Sequence, residues 1–370
     1  MSDNNSPLVV VAAGGTGGHL FPAEALTVAL GKRGVVVDLA TDERATRYGA
    51  AFPARTTHIV PSATLRKSDP VTYVTAPLSI VRGILQAKSL LGGLRPAAVI
   101  GFGGYPTVPP LLAACWLKIP TLIHEQNGVL GRANRMLAPF VTAIATGFPK
   151  ILDAHPKLAA KATVTGNPVR PAVVAASKQP YTASLSGSFR LVVFGGSQGA
   201  RVMADVVPAA IELLPAEVRS RLVIVQQARD EDATRVKEIY ARLAVASEVE
   251  PFFTDMPARI AAGHLVVARS GASTVAELAA IGRPGILVPL PHALDQDQAA
   301  NAAVLEKAGG ALRVNQSDFT PKFLAAEIGI LASEPQRLAA MAEAARLTGA
   351  IDAADRLADL VLRVAGLTAR

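Results

Sequence analysis

The chain has 370 residues, half of them hydrophobic, and its 37 basic residues outnumber 29 acidic ones to give a formal charge of +8. This length exceeds one ordinary hydrophobic core and predicts two domains of roughly 150–200 residues each. The charge suits an anionic substrate or membrane surface, whereas an aromatic content of 5% and the lack of a Cys/His finger or an aromatic RNA-binding motif exclude nucleic acid as an expected partner.

Three features of the sequence bear on compartment and membrane insertion. The N-terminal segment MSDNNSPL has no basic region and leads directly into a strand, so we expect no signal peptide. Cys115 is the single cysteine, which excludes an internal disulfide, and its apolar neighbours predict a core position. The uncharged stretch 97–117 is long enough to cross a bilayer, but its glycines and prolines divide it into strand, loop and helix.

Short β-branched runs alternate with helical patterns along the chain. Continuous apolar strands between helices are typical of parallel sheets that are covered on both faces. The first series of strands is predicted at Leu8–Ala12, Val35–Ala40, Ala98–Ile100, Thr121–Ile123, Ala143–Ala145 and Thr163–Thr165. The second series is predicted at Leu191–Phe194, Leu222–Gln226, Val249–Phe252, Leu265–Ala268 and Gly285–Val288.

Both series open with a hydrophobic strand, a glycine-rich turn and a helix, which predicts two doubly wound, Rossmann-like α/β domains. The first unit reads LVVVAAGGTGGHLFPAEALTVAL and the second reads LVVFGGSQGARVMADVVPAAI. The proline- and serine-rich segment 166–188 is the predicted linker, so the N-terminal domain is placed at 1–168 and the C-terminal domain at 169–350. An amphipathic helix predicted at 351–370 closes the second domain or packs back on the first.

The first glycine-rich loop, residues 14–18 (GGTGG), follows the first predicted strand, and His19 comes directly after it. Such a loop is either a tight turn that packs helix on strand, or a place where backbone N–H groups approach a phosphate. It lacks the G-x-G-x-x-G spacing and the G-K-[ST] of a P-loop, which disfavours dinucleotide oxidoreductases and P-loop NTPases. Because histidine titrates near neutrality, His19 could deprotonate an attacking hydroxyl, or it could only hydrogen-bond the loop.

Two more segments of the first domain follow strands, at the sheet edge where open α/β sheets bind ligands. The loop at 101–106 (GFGGYP) is also glycine-rich, and its Tyr105 could offer a hydroxyl or merely pack. The segment at 124–127 (HEQN) places four polar side chains at a strand end, where they are costly unless they serve a ligand or a network. We expect these four side chains to hydrogen-bond sugar hydroxyls.

Three segments of the second domain lie at equivalent positions. Residues 195–201 (GGSQGAR) place Ser197 at a helix entrance, where its hydroxyl could cap the helix or donate to a phosphate. Residues 269–277 (RSGASTVAE) put Glu277 in the first turns of a helix, where it could accept ribose hydroxyls or only interact with the helix dipole. A third polar cluster consists of Gln296, Asp297, Gln298 and Asn301.

The segment at 77–94 (PLSIVRGILQAKSLLGGL) predicts a basic amphipathic helix. Such a helix suits the interface of an anionic leaflet, although helical periodicity alone is more typical of a core helix with solvated charges. Trp116 could join this patch or pack in the core. The apolar positions are Ile80, Ile84, Leu85, Leu90 and Leu91, and the basic ones are Arg66, Lys67, Arg82, Lys88 and Arg95.

Seven segments together resemble the MurG family of bacterial N-acetylglucosaminyltransferases. They are GGTGGH, GFGGYPT, HEQN, TGNPVR, GGSQGAR, RSGASTVAE and the segment around Gln298 and Asn301, in family order over nearly the whole chain. The resemblance implies the GT-B fold, in which two Rossmann-like domains face a cleft. It also implies inverting transfer of N-acetylglucosamine from UDP-N-acetylglucosamine to the C4 hydroxyl of undecaprenyl-pyrophosphoryl-muramyl-pentapeptide, the step from lipid I to lipid II in peptidoglycan synthesis.

The resemblance also implies which residues contact each substrate. Those that would contact UDP-N-acetylglucosamine are Thr16, Gly17, Gly18, Asn127, Arg170, Ser197, Phe253, Ala272, Ser273, Thr274, Glu277 and Gln298. Those that would contact the acceptor diphosphate are Gly15, Gly103, Gly104 and Tyr105. Glu277 would hold the ribose hydroxyls, and Phe253 would recognise uracil through its backbone. Gln298 and Asn127 would hold the sugar.

The implied reaction needs a base for the attacking hydroxyl and stabilisation of the negative charge that develops on the departing diphosphate. His19 is the candidate base, and Glu125 is the alternative. Helix N-termini and Arg170 would stabilise the diphosphate without a metal ion, and no cofactor is implied. Asp297 stands where the family often has a basic or amide residue, which leaves the hydrogen bonding just before Gln298 open.

Because the acceptor is a lipid, the resemblance implies peripheral attachment to the cytoplasmic face of the bacterial inner membrane and association with a cell-wall synthesis complex. Another GT-B enzyme, such as a UDP-sugar 2-epimerase or a transferase with a soluble acceptor, would share the donor site but lack the apolar basic patch. A non-catalytic sugar-nucleotide-binding subunit would need neither His19 nor the second glycine-rich loop.

Overall fold

The computed structural model describes residues 6–14, 17–42, 52–62, 72–183, 187–196 and 199–367. Five residues named above lie outside this part of the chain, and they are Gly15, Thr16, Arg66, Lys67 and Ser197. The chain divides into two compact units, of which unit 1 comprises residues 1–170 with 351–370 and unit 2 comprises residues 171–350.

Strands and helices alternate along the described residues, as the hydrophobic pattern predicts. The strands are β1 Leu8–Ala12, β2 Val36–Thr41, β3 Thr56–Ile59, β4 Ala98–Gly101, β5 Thr121–Glu125, β6 Ala143–Thr146, β7 Ala162–Val164, β8 Phe189–Phe194, β9 Leu222–Gln227, β10 Ala246–Glu250, β11 Leu265–Ala268, β12 Gly285–Leu287 and β13 Ala311–Arg313. The helices are α1 Gly17–Gly31, α2 Thr72–Leu94, α3 Val108–Trp116, α4 Arg132–Leu137, α5 Pro156–Ala159, α6 Pro171–Ala176, α7 Arg201–Leu213, α8 Ala216–Arg219, α9 Asp230–Arg242, α10 Met256–Ala262, α11 Ala272–Ile281, α12 Asp297–Ala308, α13 Pro321–Ser333, α14 Pro335–Thr348 and α15 Ala353–Val364.

Unit 1 is built on a parallel sheet with the order β3-β2-β1-β4-β5-β6-β7. Side chains alternate across β1, so that Val9 and Val11 face α1 and α15 while Val10 and Ala12 belong to the core beneath α2, α3 and α4. Helices therefore cover both faces of this sheet. The strand order reverses between β1 and β4, and open sheets of this kind bind ligands at that point.

The C-terminal helix α15 packs on unit 1, although residues 171–350 separate it from the rest of that unit in the sequence. Its apolar face buries Leu357 and Val361 in the same core as α1. On its polar face, Asp355 and Asp359 accept hydrogen bonds from the guanidinium of Arg33 at 2.8 and 3.0 Å. An amphipathic helix of this kind is stable because its apolar stripe is removed from water.

Unit 2 repeats the arrangement with the parallel order β10-β9-β8-β11-β12-β13, and its strand order reverses between β8 and β11. Helices α7, α9 and α13 contribute to the main core of this unit, through side chains such as Val207, Val236 and Ile328. The carboxyl ends of β8 and β11 lead directly into the loops before α7 and α11. These are the two glycine-rich loops that the sequence predicts as ligand sites in the second domain.

The predicted strands agree with the structure best where an apolar run is buried on both faces. The predictions at Leu8–Ala12 and Leu265–Ala268 match β1 and β11 to the residue. The prediction at Val249–Phe252 finds β10 but misplaces its bounds, because β10 spans Ala246–Glu250 and ends before Phe252. β10 is an edge strand in which only Val249 is buried, so its sequence carries little apolar signal.

Candidate active site

The two glycine-rich loops of unit 1 meet at the carboxyl ends of β1 and β4. A β-carbon at Gly14 would lie 3.2 Å from Pro106 Cδ, so the first loop packs against the second. β-Carbons at Gly103 and Gly104 would each lie 3.4 Å from carbon atoms of the His19 ring. Both glycines have positive φ angles, 85° and 76°, which favour glycine over any residue with a side chain. The second loop is therefore the surface on which the His19 imidazole lies.

Helix α1 begins at this junction. Gly17 is its first residue and is buried, Gly18 is exposed, and His19 is half-buried. Tyr105, also half-buried, opens a 3-10 turn directly after Gly104. The structure thus brings together the described members of the predicted acceptor set and the candidate base at one edge of the unit 1 sheet.

Arg170 lies beside the first turns of α1. Its guanidinium carbon is 3.9 Å from the centroid of the Phe21 ring, within the range of a cation–π interaction. A β-carbon at Gly17 would lie 3.1 Å from the same ring. Burial raises the pKa of Glu24, one turn further along α1, and the positive charge of Arg170 acts in the opposite direction. Phe21 carries no functional signal in the sequence, because its apolar neighbours make it look like a core residue.

The carboxylate of Glu125 organises the loop that follows β5. It accepts hydrogen bonds from the backbone N–H and side-chain amide of Asn127 at 3.0 and 3.1 Å. It also accepts from the backbone N–H of Gly131 and the side-chain amide of Asn134, both at 2.8 Å. Glu125 is 1% exposed. A carboxylate with these four donors serves the loop and the start of α4, and this arrangement does not favour Glu125 as a base.

His124 and Gln126 are also held within unit 1. His124 is fully buried with Nε2 3.0 Å from the carbonyl oxygen of Gly166, and burial lowers its pKa from 6.5 to about 4. The neutral ring therefore donates from Nε2. The amide of Gln126 donates to the carbonyl of His124 at 3.2 Å, and Asn167 donates to the carbonyl of Gln126 at 2.8 Å.

This network corrects the expectation that all four side chains at 124–127 bind sugar hydroxyls. His124, Glu125 and Gln126 connect β5 to the segment 166–167 and to α4, and Asn127 alone among the four is partly exposed. A polar run at a strand end gives the same sequence signal whether its partners are ligand atoms or protein atoms.

Helix α11 begins at the carboxyl end of β11 without a side-chain cap. Gly271 precedes it, so the first N–H groups of the helix, on Ala272, Ser273 and Thr274, have no capping side chain. These N–H groups and the helix dipole together favour an anion at this end. Ser273 Oγ is buried and has no hydrogen-bond partner among the described residues.

Glu277 lies one turn after Ser273 on α11 and is buried. Residues four apart share one face of a helix, so the carboxylate and the Ser273 hydroxyl lie on the same side. Ser273, which is predicted for the donor diphosphate, and Glu277, which is predicted for the ribose, therefore share one face of α11 at the carboxyl end of the unit 2 sheet.

The glycine-rich loop before α7 is shaped by close backbone contacts. A β-carbon at Gly195 would lie 2.2 Å from the backbone nitrogen of Ala200, which excludes any side chain there. The N–H of Gly195 donates to Gln227 Oε1 at 3.1 Å. Helix α7 also lacks a side-chain cap. Ser197 belongs to this loop but lies outside the described residues.

Phe253 follows the edge strand β10 and is buried, with the guanidinium carbon of Arg259 at 4.2 Å from its ring centroid. Arg259 is fixed in turn by Asp255 at 2.6 Å and by Glu248. The side chain of Phe253 thus packs within the protein. This agrees with the expectation that only its backbone recognises uracil.

Gln298 lies in the first turn of α12, and its side-chain oxygen accepts a hydrogen bond from the N–H of Leu290 at 3.0 Å. Asp297 Oδ1 accepts from the N–H of Gln298 at 2.7 Å. This answers the question that Asp297 raises in the sequence, because its carboxylate serves the start of α12, where negative charge is favourable.

An apolar surface with basic neighbours lies on α2 and the end of α3. Val81, Leu85 and Trp116 are 53%, 55% and 59% exposed, and the ammonium of Lys88 stands 3.7 Å above the centroid of the Trp116 ring. Among the described residues, no helix has the length and apolar character to cross a bilayer.

The structure corrects part of the predicted amphipathic face of α2. Leu91 is buried in the core, and Ile84 and Leu90 pack against it, so these three residues do not face outward. The expectation of a core position for Cys115 is wrong, since this residue is half-buried and lies outside the buried core, with its sulfur 3.7 Å from Thr121 Oγ1.

Two family models match the chain. A model described as the glycosyltransferase family 28 N-terminal domain matches residues 9–146, and the corresponding C-terminal domain model matches residues 190–357. The N-terminal match lies within unit 1, and the C-terminal match lies mainly within unit 2. This is the order of the two predicted domains.

Relatives of similar length match almost end to end. A protein from Rhodopseudomonas palustris (strain BisB18) is 61% identical over 366 residues, which cover 99% of this chain and 98% of the relative. A protein from Bradyrhizobium sp. (strain BTAi1) is 59% identical over 365 residues, which cover 98% of this chain and 100% of the relative. Both are named UDP-N-acetylglucosamine–N-acetylmuramyl-(pentapeptide) pyrophosphoryl-undecaprenol N-acetylglucosamine transferase.

Solved structures confirm the predicted GT-B class. MurG from Acinetobacter baumannii has a TM-score of 0.78 and 29% identity, over 97% of this chain and 99% of that one. A UDP-GlcNAc 2-epimerase from Neisseria meningitidis has a TM-score of 0.67 and 16% identity, over 96% of this chain and 100% of that one. At so low an identity the second likeness shows the shared fold alone.

Proposed function

The chain belongs to glycosyltransferase family 28, and from this premise we propose that it transfers N-acetylglucosamine from UDP-N-acetylglucosamine to the C4 hydroxyl of undecaprenyl-pyrophosphoryl-N-acetylmuramyl-pentapeptide. The observation that carries the proposal is the 61% identity to a transferase of that name over 99% of the chain. The site geometry in each unit supports it.

We assign the donor first to α11. Its uncapped N-terminus and the small side chains of Ala272, Ser273 and Thr274 leave room for a diphosphate, which the helix dipole attracts. Glu277 on the same helix face accepts the two ribose hydroxyls. The backbone at Phe253 recognises uracil, which agrees with the packing of its side chain against the guanidinium of Arg259.

We assign the remaining donor contacts to residues that would bind its sugar and its phosphates. Gln298 and Asn127 hold the sugar hydroxyls. Arg170 brings a positive charge to the phosphates, and Ser197 donates a hydrogen bond to them. Cation–π contact with Phe21 holds the Arg170 guanidinium in place. Gly17 and Gly18, together with Thr16, approach the donor with backbone groups.

The acceptor diphosphate is assigned to the two glycine-rich loops of unit 1, through Gly15, Gly103, Gly104 and Tyr105. Backbone N–H groups in such loops approach phosphate oxygens closely because no side chain intervenes. The ring of His19 packs on the backbone of the second loop and is half-buried. Glu125, in contrast, is buried and already accepts four hydrogen bonds. We therefore assign the base to His19.

In the proposed reaction His19 takes the proton of the acceptor C4 hydroxyl as that oxygen attacks the anomeric carbon. The bond between the anomeric carbon and the UDP oxygen breaks on the opposite face, so the configuration inverts. Negative charge develops on the departing diphosphate, where the N-terminus of α11 and Arg170 stabilise it. The proton thus goes to His19, the sugar goes to the acceptor oxygen, and UDP leaves.

We assign peripheral attachment to the surface formed by Val81, Leu85 and Trp116, with Arg82 and Lys88 beside it. Apolar side chains with adjacent cations suit the interface of an anionic leaflet, such as the cytoplasmic face of a bacterial membrane. Phe140 is also exposed, and its carbonyl oxygen lies 3.6 Å from the sulfur of Cys115, the residue before Trp116.

The test is UDP release from UDP-N-acetylglucosamine by the purified protein, with and without a short-chain lipid acceptor. We expect release that depends on the acceptor, and we expect Glu277→Ala to raise the donor KM by about tenfold or more, since a buried charged hydrogen bond is worth about 1.5–3 kcal/mol. Glu238→Ala, at an exposed position on α9, is the matched control and should leave KM unchanged. Acceptor-independent release with epimerisation of the sugar would sink the proposal.

A further inference from the structure

The loop between β12 and α12, residues 288–296, leads into the first turn of α12 at Gln298 and is fastened at its beginning by a buried arginine. Arg269 follows β11 directly, and its Nη1 donates to the carbonyl oxygens of Val288 and Pro289, each at 3.1 Å. Its Nη2 donates to the side-chain oxygen of Gln316. The guanidinium therefore ties the start of this loop to the carboxyl end of β11.

The helical turn that follows this loop is fastened by the next residue in the chain after Arg269. Ser270 is fully buried, and its hydroxyl donates to the carbonyl oxygen of Gln298 at 2.8 Å. In return, the side-chain amide of the buried Asn301 donates to the carbonyl oxygen of Ser270 at 3.2 Å. Arg269 and Ser270 thus hold the start of this loop and the helical turn that follows it, and only Gly271 separates them from α11.

The loop has a backbone shape that needs such support. His292, Asp295 and Gln296 have φ angles of 60°, 56° and 55°, in the left-handed region that non-glycine residues seldom adopt. Strained backbone of this kind persists only where surrounding contacts determine it. Contacts from Arg269 at the start of the loop and from Ser270 in the helical turn that follows it supply that constraint.

We propose that Arg269 and Ser270 are positioning residues that set the distance between the diphosphate site on α11 and the sugar site at Gln298. This inference rests on the proposed function, in which α11 binds the diphosphate and Gln298 binds the sugar. Both residues act through the loop and α12, and neither touches the donor. Their loss should therefore weaken the interaction with the sugar while leaving the interaction with the nucleotide unchanged.

The test compares two measurements on the full-length protein, the kcat/KM for UDP-N-acetylglucosamine and the dissociation constant of UDP, which lacks the sugar. For Ser270→Ala we expect kcat/KM to fall by about tenfold, the effect of one lost buried hydrogen bond, with a change below about twofold in the UDP constant. Arg269→Lys, which keeps the charge but loses the guanidinium fork, should show the same separation. Ser333→Ala, whose hydroxyl also donates to a backbone carbonyl, is the matched control on α13 and should change neither value.

A parallel loss of kcat/KM and of UDP affinity, or no loss of either, overturns the inference. Gln316→Ala provides a milder variant, should Ser270→Ala and Arg269→Lys fail to fold, because it removes only one acceptor of Arg269 at the edge of the site. For this variant we expect about a threefold loss of kcat/KM at constant UDP affinity. The wild-type protein distinguishes a failure of the proposed function from a failure of the positioning role. If wild type transfers no sugar from UDP-N-acetylglucosamine, the proposed function is refuted, and the positioning role is not.

Discussion

Two histidines near the strand ends of unit 1 have different environments and, in our account, different roles. His124 is fully buried and held by the Gly166 carbonyl, with a pKa lowered by burial to about 4. His19 is half-buried and lies on the backbone of Gly103 and Gly104. Burial keeps the first imidazole neutral and structural, whereas the second is partly exposed and is our proposed base.

The His124 environment predicts a specific dependence of stability on pH. A histidine whose pKa is about 4 in the folded chain and 6.5 in the unfolded chain binds its proton first in the unfolded chain, so stability is full above pH 6.5 and falls as the pH drops toward 4. The loss should be on the order of 3 kcal/mol over that range. Urea unfolding of wild type and His124→Asn at pH 7 and pH 5 should show about 2 kcal/mol of this loss in wild type alone. Equal losses in both proteins would contradict the assignment.

For His19 we expect His19→Ala to lower kcat by roughly 100-fold or more with a smaller change in donor KM, as general-base catalysis contributes about that much. Steady-state kinetics with saturating acceptor measures both constants. Thr57→Ala, at an exposed position on β3, is a control that should leave them unchanged. Turnover near that of wild type would remove His19 from the role of base.

At this scale the sequence predicts where polar residues lie better than what they bind. Glu125 and Asn127 are found at the strand end where the pattern predicts them, but Glu125 bonds the N–H of Gly131 and the amide of Asn134. Those partners come from a loop geometry that a single sequence does not specify. Asp297 is a second example, because only the structure shows that its carboxylate accepts from the N–H of Gln298.

Among the elements, α2 shows how one helix serves both a core and a surface. Leu91 faces the core of unit 1, while Val81 and Leu85 face outward beside Trp116. Periodicity predicts an amphipathic helix here but does not say which apolar residues are buried, because the hydrophobic stripe is wider than the face that packs. Exposure in the folded chain decides that question.

Trp116 offers a direct test of the membrane surface, because it is the single tryptophan of the chain and is 59% exposed. We expect its fluorescence emission to shift to the blue when vesicles with about one-third anionic lipid are added, since the indole leaves water. Leu85→Ser should weaken vesicle binding, whereas Leu347→Ser, at an exposed site on α14 in unit 2, should not. An unchanged emission spectrum with saturating vesicles would exclude this surface as the attachment site.

The strands show a similar limit of sequence patterns. β1 and β11 are buried on both faces and carry continuous apolar runs, so their bounds are predicted correctly. β3 reads TTHI with mostly exposed side chains, and the pattern does not predict it. Edge strands need few apolar residues because one side is open to water, which weakens the signal that identifies them.

For the whole molecule, the return of α15 to unit 1 means that residues at both ends of the chain form one core. Leu357 is fully buried there against α1. We expect Leu357→Ala to destabilise unit 1 by about 2–5 kcal/mol, the usual cost of a cavity in a core, with no change in the affinity of unit 2 for UDP. Calorimetric unfolding and UDP titration measure the two effects. A loss of UDP affinity without any loss of stability would contradict this division of the chain.

The architecture alone does not separate a transferase from a UDP-sugar epimerase, since both share this fold at low sequence identity. The distinction depends on the near full-length identity to transferases and on a unit 1 feature that an epimerase does not require. The feature in question is the apolar basic surface around Trp116.

The most direct test of the account follows the sugar itself. Wild-type protein is incubated with UDP-N-acetylglucosamine labelled in the sugar and a lipid-linked muramyl-pentapeptide diphosphate, and the products are separated and their anomeric configuration determined. For inverting transfer we expect label in a β-linked disaccharide on the lipid, with one UDP released per sugar transferred. Label that remains on the nucleotide, as the donor or its epimer, would contradict it.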